Sequence, residues 1–239
     1  MSIRPSYLFF PLVLIFFAIK PASAQVQFGV KTGWSITNVN SSSNQTATVN
    51  GTSQAFKNFP KTGWTGGIFF TIPVYKHWQF QPELNYSNQG AEGSPKQQYT
   101  YTVDESYRLN YLNIPLLVKY KGPFGIFAET GPQFSLLLKG SIHETVVGND
   151  NTQYYNVKSA FKSNDFGWVF GAGYLSPINL GLDVRYNLGL SNINQATAAQ
   201  LSSAPLQSGS MKNSVFQLTL FYVFGKSGLK SGASRSLPE

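Results

Sequence analysis

The stretch INLGLDVRYNLGL, at residues 178–190, alternates strictly between apolar residues and residues that are polar or glycine. Its even positions hold Ile, Leu, Leu, Val, Tyr, Leu and Leu, and its odd positions hold Asn, Gly, Asp, Arg, Asn and Gly. Successive side chains of a β-strand point to opposite faces of the sheet. The alternation therefore predicts a strand with one apolar face and one polar face.

The same period of two recurs in seven further stretches, and none of the eight has a charged residue at an even position. The seven stretches are 26–36, 64–74, 78–86, 112–120, 124–138, 166–174 and 216–224. Three connections, 75–77, 121–123 and 175–177, have three residues each, whereas 37–63, 87–111, 139–165 and 191–215 are each longer than 24 residues. Short turns at one rim and long loops at the other are typical of outer-membrane barrels. The predicted fold is all-β: an eight-stranded antiparallel transmembrane β-barrel, an up-and-down meander with short periplasmic turns and long extracellular loops.

The N-terminus has the pattern of a secretory signal peptide. Arg4 precedes the apolar run 7–19, and Ala22-Ser23-Ala24 forms a small-x-small cleavage site before Gln25. We predict a signal peptide at 1–24, a barrel domain at 25–225 and a polar C-terminal tail at 226–239. The apolar run is shorter than the ~20 residues that a spanning helix needs.

Composition excludes several classes of protein. The chain has no Cys, which excludes a disulfide framework and a lipid-modified N-terminal Cys. Removing Arg4 and Lys20 with the signal peptide lowers the formal net charge from +8 to +6. The positive charges form no cluster, so we expect attraction to anionic lipid headgroups rather than binding of nucleic acid.

Aromatic residues of the apolar face concentrate near the ends of the predicted strands. Amphipathic rings favour the headgroup level of a membrane, so two aromatic belts are expected. The predicted members are Phe28, Trp78, Tyr120, Tyr174, Tyr222 and Phe224 at the turn rim, and Trp34, Trp64, Tyr86 and Trp168 at the loop rim.

The odd positions carry every charge of the eight stretches. An unpaired charge inside a narrow barrel costs several kcal/mol, so opposite signs are expected to pair in an interior polar network. Its predicted members are Lys31, Glu83, Lys119, Glu129, Asp183 and Arg185. Eight strands enclose a space that side chains just fill, which disfavours a wide pore. Glycines on the same face are expected to provide room for bulky neighbours: Gly167, Gly171, Gly173, Gly181 and Gly189.

Three prolines interrupt the predicted strands. Proline removes a donor from the strand ladder, and a closed barrel has no edge strand to hold it. We therefore expect bulges or shifted strand ends at Pro82, Pro115 and Pro132.

Several segments, taken in order, resemble the PorT-family outer-membrane β-barrel domain of Bacteroidetes-type bacteria. They are YLNIPLLVKY (111–120), ETGPQ (129–133), FGWVFGAG (166–173), DVRYNLGL (183–190) and FQLTL (216–220). The resemblance covers essentially the whole mature chain and implies an eight-stranded barrel. It implies no activity, because a role in protein export belongs to only some members. One departure is that residues 226–239 follow Phe224, whereas such barrels often end on an aromatic residue.

No constellation for catalysis stands out, so no enzyme activity and no cofactor are predicted. Catalysis needs a base within reach of a nucleophile, and the two histidines lie on opposite rims, His77 in a turn and His143 beside Glu144 in a loop. Two His and no Cys also argue against a transition-metal site. A loop calcium site remains open, with oxygen ligands drawn from Asp104, Glu105, Asp150 or Asp165.

The long loops are the candidate binding surface, because function concentrates on loops carried by a rigid scaffold. Their candidate contact residues are Phe56, Phe59, Tyr99, Tyr101, Tyr154 and Tyr155, together with Tyr107 and Phe161. A partner is a protein, a glycan or lipopolysaccharide, the last held by Lys57, Lys61, Lys139, Lys158 and Lys162. Packing of the loops on one another as a cap is the alternative.

A soluble, lipocalin-like barrel that binds a small apolar ligand is the main rival. It needs the apolar face inside and the charged face in solvent. Only six charges on that face is few for strands in water. A third alternative is an outer-membrane hydrolase.

Overall fold

The structure of this chain is a computed structural model, and it describes residues 26–41, 46–49, 52–55, 58–93, 96–98, 101–146, 152–197, 200 and 209–225. The predicted signal peptide and C-terminal tail lie outside these ranges. Twelve strands are present in them: β1 Gln27–Ser41, β2 Thr46–Val49, β3 Thr52–Ala55, β4 Asn58–Tyr75, β5 Trp78–Gly93, β6 Lys96–Gln98, β7 Tyr101–Lys121, β8 Ile126–Val146, β9 Thr152–Asn156, β10 Asn164–Leu175, β11 Leu180–Gly189 and β12 Met211–Phe224. Two short 3₁₀ helices span Pro123–Gly125 and Lys158–Ala160.

Eight of these strands close into a barrel, which confirms the predicted fold. The order around it is β1-β4-β5-β7-β8-β10-β11-β12, and β12 returns to β1. All eight pairings are antiparallel between consecutive barrel strands, as in a meander. The closing seam runs from Phe28 opposite Phe224 to Ser41 opposite Met211.

The two faces of the barrel follow the alternation of the sequence. Even positions such as Leu182 and Leu218 are exposed on the outside, and odd positions such as Asp183 and Thr219 are buried inside. The apolar face therefore lies outside, opposite to the arrangement of a lipocalin. The polar, Gly-rich face lines the interior.

The strands on the loop side run further than the sequence predicted. β5 continues to Gly93, β7 begins at Tyr101 and β8 continues to Val146, so much of the predicted loops 87–111 and 139–165 is strand. Here β7 pairs with β8 from Val103 to Asn110, an extension of about 25 Å at ~3.4 Å per residue. β6 and β9 add short strands to its edges, and β2 pairs with β3 as a separate hairpin.

A register shift on β8 changes which face each position of that strand occupies in the extension. Asn110 pairs with Lys139, whereas Tyr111 pairs with Leu137, so Leu138 is an extra residue. Leu138 and Lys139 are both exposed, and beyond them it is an even residue, Ile142, that is buried. A bulge of this kind inserts one residue and moves every following side chain to the other face.

The expectation of bulges at the three prolines is wrong. Pro82 pairs with Leu116 and Asn85 pairs with Asn113, so the β5–β7 register is the same on both sides of Pro82. The β7–β8 register is likewise kept past Pro115, and Pro132 pairs directly with Trp168 on β10. The ladder therefore tolerates these prolines in place, and its register shifts lie elsewhere on β4–β5 and β7–β8.

The three short turns each contain one non-glycine residue in the left-handed region. These are Lys76 (φ 44°), Phe124 (φ 57°) and Asn179 (φ 67°). Positive φ is uncommon outside glycine and is favoured by the tight geometry of hairpin turns. Asn179 also holds the end of β12, because its side-chain amide donates to the Gly225 carbonyl at 2.8 Å and its backbone carbonyl accepts from the Val223 N–H. None of the described helices is long and apolar enough to cross a membrane.

Candidate functional site: the barrel interior and its two rims

The centre of the barrel holds an ion network built around Glu83 of β5. Its carboxylate receives Nη1 and Nη2 of Arg185 at 2.7 and 2.9 Å and lies 3.2 Å from Nζ of Lys31. The side-chain amides of Gln81 and Asn85 donate to the same carboxylate at 2.6 and 2.8 Å. Glu83 is thus surrounded by two cations and two amide donors.

Arg185 extends the network to both of its neighbouring carboxylates. Its Nε lies 2.5 Å from Glu129 and its Nη2 lies 3.4 Å from Asp183. Glu129 also pairs at 3.3 Å with Lys119, directly opposite it on β7, while Asp183 pairs at 3.2 Å with Lys31. The structure therefore brings together all six residues of the predicted interior network, all of them buried.

Three cations and three carboxylates make this ion network neutral. This neutrality allows the six charges to be buried. Buried charges are tolerated only when they are paired and hydrogen-bonded. With side chains no more than 8% exposed, the six charges neutralise one another and fix the positions of five strands. The arrangement suits a structural core.

A hydrophobic cluster fills the barrel on the loop side, and we name it the loop-side cap. Its residues come from the extended strands and from the segments that follow β9 and β11: Val39, Ala91, Tyr107, Leu109, Tyr111, Leu137, Ile142, Val157, Ala160, Phe161, Ile193 and Met211. The backbone of 157–163 is tied to β8 by bonds from Val157 N–H to the Gly140 carbonyl and from Leu137 N–H to the Ser163 carbonyl. The cap is therefore part of the core.

A second cluster, the turn-side plug, lies below the ion network. Phe69, Phe127 and Phe221 meet edge to face with centroids 5.8 and 5.9 Å apart, and Val223 and Leu175 pack against them. Each ring lies against a glycine of a neighbouring strand, where a Cβ would overlap the ring: Gly29 against Phe69, Gly173 against Phe127 and Gly181 against Phe221. The glycines of the inner face thus make room for these rings, as the sequence predicted for Gly173 and Gly181.

The outer face carries the ten residues predicted for the aromatic belts, and all ten are exposed. At the turn rim, the ring centroids of Trp78 and Tyr120 are 5.0 Å apart, and Phe28 stacks on Phe224 with the ring centroids 5.5 Å apart. At the loop rim, the Trp64 and Trp168 indoles donate to threonine hydroxyls on adjacent strands, Thr32 at 3.0 Å and Thr130 at 2.8 Å. Such bonds satisfy an indole N–H that faces lipid.

Comparison with known proteins gives the same fold, an outer-membrane β-barrel. Residues 20–195 match the family model described as "Outer membrane protein beta-barrel domain", which is well over half of the chain. This chain belongs to that family. Its location is accordingly the outer membrane, and nothing in the family points to catalysis.

Solved outer-membrane barrels are similar to this one at low sequence identity. Neisserial surface protein A has 13% identity and a TM-score of 0.44, with 83% of this chain and 98% of that chain covered. OprG from Pseudomonas aeruginosa has 13% identity and a TM-score of 0.40, with coverage of 84% and 97%. The attachment invasion locus protein Ail of Yersinia pestis has 10% identity and a TM-score of 0.38, with coverage of 84% and 99%. No curated protein sequence matches this chain.

The predicted loop contacts of this outer-membrane barrel fall into three groups. Tyr154 on β9 is 71% exposed, and Tyr155 beside it is partly buried against the cap. Tyr107 and Phe161 are buried inside the cap, so their assignment as loop contacts is wrong. The remaining four lie outside the described residues, entirely for Phe56 and Tyr99 and in their side chains for Phe59 and Tyr101.

The lysines proposed to contact lipopolysaccharide also divide. Lys139, Lys158 and Lys162 are exposed at the loop rim. Lys61 is buried instead, donating to the Ser106 hydroxyl at 2.5 Å and the Tyr107 carbonyl at 3.3 Å, because its odd position faces the interior. Lys57 lies outside the described residues.

The proposed calcium ligands do not assemble where they are described. Asp165 is buried and accepts from Ser191 at 2.5 Å and from the Asn213 amide at 2.9 Å, so it belongs to the interior. Asp150 and the side chains of Asp104 and Glu105 lie outside the described residues. No group of three or more potential metal ligands occurs in the part that is described.

The two histidines lie on opposite rims of the outer-membrane barrel. His77 occupies the β4–β5 turn, with its ring 5.7 Å from that of Tyr120. On β8, the ring centroid of His143 lies 4.5 Å from that of Tyr154, and its Nε2 lies 3.4 Å from the Ser141 hydroxyl. The side chain of Glu144 lies outside the described residues.

Sequence reasoning offered a cap of packed loops only as an alternative to a binding surface, and it missed the plug, although one signal for the plug was present. Phe69, Phe127 and Phe221 are aromatic residues at odd, inward positions. Each lies near the turn end of its strand, where neighbouring strands have an odd-numbered glycine. An inward ring opposite a glycine indicates a packed barrel end.

Proposed function

We propose that this protein is a closed, non-catalytic outer-membrane barrel that serves recognition at its loop rim. The observation that carries the proposal is the filling of the interior. The loop-side cap, the neutral ion network and the turn-side plug follow one another along the barrel axis. A barrel filled in this way offers its rims, rather than a lumen, for function.

The proposed orientation has the loops outside the cell and the turns in the periplasm. The three turns are short, and the extended β7–β8 ladder lies on the opposite side. Short periplasmic turns and larger extracellular parts are the rule for such barrels. The extension supports recognition because it presents side chains such as Tyr154 beyond the apolar band, beside Tyr155, which packs against the cap.

Surface labelling of single cysteines tests this orientation, since the chain has no Cys of its own. Tyr154→Cys should react with a membrane-impermeant maleimide on intact cells. Phe124→Cys, at an exposed turn position, should react only after the outer membrane is permeabilised. The reverse pattern would refute the orientation.

Conductance in planar bilayers tests the closed interior. The purified barrel should give no discrete channel openings when a sixteen-stranded porin, inserted as a positive control, gives them. Reproducible openings that depend on the concentration of this protein would contradict a filled interior.

Lipopolysaccharide phosphate is the partner that the described loop rim supports best. Lys139, Lys158 and Lys162 are exposed, and Lys158 lies beside Gly140, the residue after Lys139. The triple variant Lys139→Gln, Lys158→Gln, Lys162→Gln should bind bisphosphorylated lipid A at least tenfold more weakly than the wild type. Lys76→Gln, on the opposite rim, is the matched control and should bind normally. Equal binding by the triple variant would exclude this patch and favour a protein or glycan partner.

A role in envelope biogenesis or protein secretion is a second candidate. It is supported by the PorT-family resemblance of segments such as 111–120 and 183–190, which form β7 and β11 of the barrel. Deleting the gene in its native host, with complementation by the wild-type chain, should reduce the set of secreted proteins. An unchanged secretome would argue against this role.

A further inference from the structure

The extra residue on β8 changes the outer wall of the barrel at the loop rim. Lys139 has an odd number, and without the extra residue Leu138 it would face the interior, as the odd positions of the barrel strands do. Instead Lys139 lies opposite Asn110, an outward residue of β7, and both Leu138 and Lys139 are exposed. Bulges commonly re-aim a side chain in this way. The bulge therefore places an apolar side chain and a cation next to each other on the outer wall.

Leu138 carries the apolar surface of β8 above the level at which the neighbouring strands become polar. On β5 and β7 the outward residues at that level are Asn88 and Asn110, whose side chains share a hydrogen bond of 2.7 Å. Leu138 is 47% exposed and continues the outward row of Phe134 and Leu136 by about 7 Å. An exposed leucine beside these amides favours contact with a lipid chain that reaches the headgroup level.

Two cations lie directly above this row. Arg108 is exposed on β7, two residues beyond Asn110, so it is a diagonal neighbour of Lys139 on the outer wall. Long side chains in this relation can reach one another, and they can therefore hold one ligand group together. Partial burial and the positive charges of Arg108, Lys61 and Lys139 lower the pKa of His143, which lies further out on β8. The outer wall is thus positive at this level.

An apolar row below a pair of cations matches a lipid that carries a phosphate group. Arginine and lysine bind phosphate oxygens through charge-assisted hydrogen bonds. An acyl chain attached to the same headgroup covers Phe134, Leu136 and Leu138. A soluble phosphate compound uses the cations only and leaves the row exposed.

We propose that Arg108, Leu138 and Lys139 form a binding site for a phosphorylated lipid of the outer leaflet, which we name the β8 wall site. Its phosphate pairs with Arg108 and Lys139, and its acyl chain lies along the apolar row of β8. This inference rests on the lipopolysaccharide partner proposed above and deepens it in two ways. It adds Arg108 to the cations that hold the phosphate, and it places the ligand on the side of the barrel, where it arrives from within the membrane.

Amide NMR of the isotope-labelled barrel in phosphatidylcholine nanodiscs tests the β8 wall site. Bisphosphorylated lipid A, added at increasing mole fraction, should shift the amide signals of Arg108, Leu138 and Lys139 saturably. Lipid A without its phosphates keeps the acyl chains and the sugars, and it should bind at least tenfold more weakly. Glucosamine 1-phosphate in solution keeps a sugar and a phosphate without acyl chains, and it should also bind at least tenfold more weakly.

Two variants assign the site. Arg108→Gln removes one cation and should weaken lipid A binding at least fivefold. Leu138→Gln removes the apolar step without changing the charge and should weaken it at least threefold. Lys212→Gln is the matched control, because Lys212 is exposed at the loop end of β12, three strands away around the barrel, and it should bind as the wild type does. The same spectra report whether each variant is folded.

Three results would overturn this inference. Binding of glucosamine 1-phosphate as strong as that of lipid A would indicate only a basic rim for soluble phosphate. Equal binding of lipid A without phosphates would indicate partition of the acyl chains without recognition of the headgroup. The third is unchanged binding in both folded variants. If the triple lysine variant then loses lipid A, the ligand sits on the loop lysines alone, and if it does not, the proposed lipopolysaccharide partner fails as well.

Discussion

Replacing Glu83 by Gln removes one carboxylate from the centre of the ion network. The Glu83 side chain is fully buried, and it contacts Arg185 at 2.7 Å and Lys31 at 3.2 Å. Removing one partner of a buried ion pair costs about 3–5 kcal/mol, because a buried charge is left uncompensated. We therefore expect Glu83→Gln to lower the free energy of unfolding by about 3–5 kcal/mol.

A second substitution separates charge balance from the loss of individual contacts. Lys31→Met alone leaves the network with an excess of one negative charge, whereas Lys31→Met with Glu83→Gln restores neutrality. The double variant should then be more stable than the sum of the single effects predicts, by roughly 2 kcal/mol, which is within the range for residues in one network. Lys212→Met, an exposed lysine on β12, is the control and should change stability by less than about 0.5 kcal/mol.

The assay is reversible urea unfolding in lipid vesicles, followed by tryptophan fluorescence and by the faster migration of the unboiled folded barrel on gels. Two results would refute the reasoning. One is a loss of less than about 1 kcal/mol in Glu83→Gln, far below the cost of breaking a buried pair. The other is strict additivity in the double variant, which would mean that the six charges do not act as one network.

Two further substitutions, each paired with a second one that tests its cause, can be measured in the same way. Gly181→Ala should destabilise the barrel by about 1–3 kcal/mol, because its Cβ overlaps the Phe221 ring, and adding Phe221→Leu should recover part of the loss; a neutral Gly181→Ala would contradict tight packing of the plug. Thr130→Val should cost about 1–2 kcal/mol by leaving the Trp168 indole N–H unpaired toward lipid. Trp168→Phe should reduce the cost of Thr130→Val to that of the remaining bond from the Thr130 hydroxyl to the Val169 carbonyl, and an undiminished cost would mean that the bond to the indole is not the cause.

The membrane-spanning part of the fold could be predicted from sequence because lipid imposes a simple rule. Every outward side chain in the apolar band must be apolar, so the period of two survives unbroken in stretches such as 178–190. The same rule located Glu83 and Arg185 on the inner face, since a charge facing lipid is costly. The pairing partners of each charge were not predictable, because they depend on how distant strands are placed around the closed barrel. Glu83 and its partner Arg185, for example, are 102 residues apart in sequence.

Beyond the apolar band the rule no longer holds. There the outer face is in water and the inner face is apolar. On β7 the buried apolar residues therefore stand at odd positions, such as Tyr107 and Leu109, whereas on β8 the extra residue Leu138 turns the even position Ile142 inward. Tyr107 and Phe161 occur in stretches whose composition is typical of loops, but their side chains are buried in the loop-side cap. Only the three-dimensional closure of the extension reveals which surroundings they have.

The seam between β1 and β12 sets the order in which this protein can be assembled. It joins Phe28 to Phe224, so the first and last barrel strands cannot meet until almost the whole chain has been exported. Contacts of such high sequence separation form slowly, and until they form both strands keep open edges that can pair with other chains. In a shortened chain that lacks β12, β1 still pairs with β4 and β11 still pairs with β10, but each is left with one open edge. Productive insertion therefore requires that the two edges be shielded until the C-terminal strand arrives.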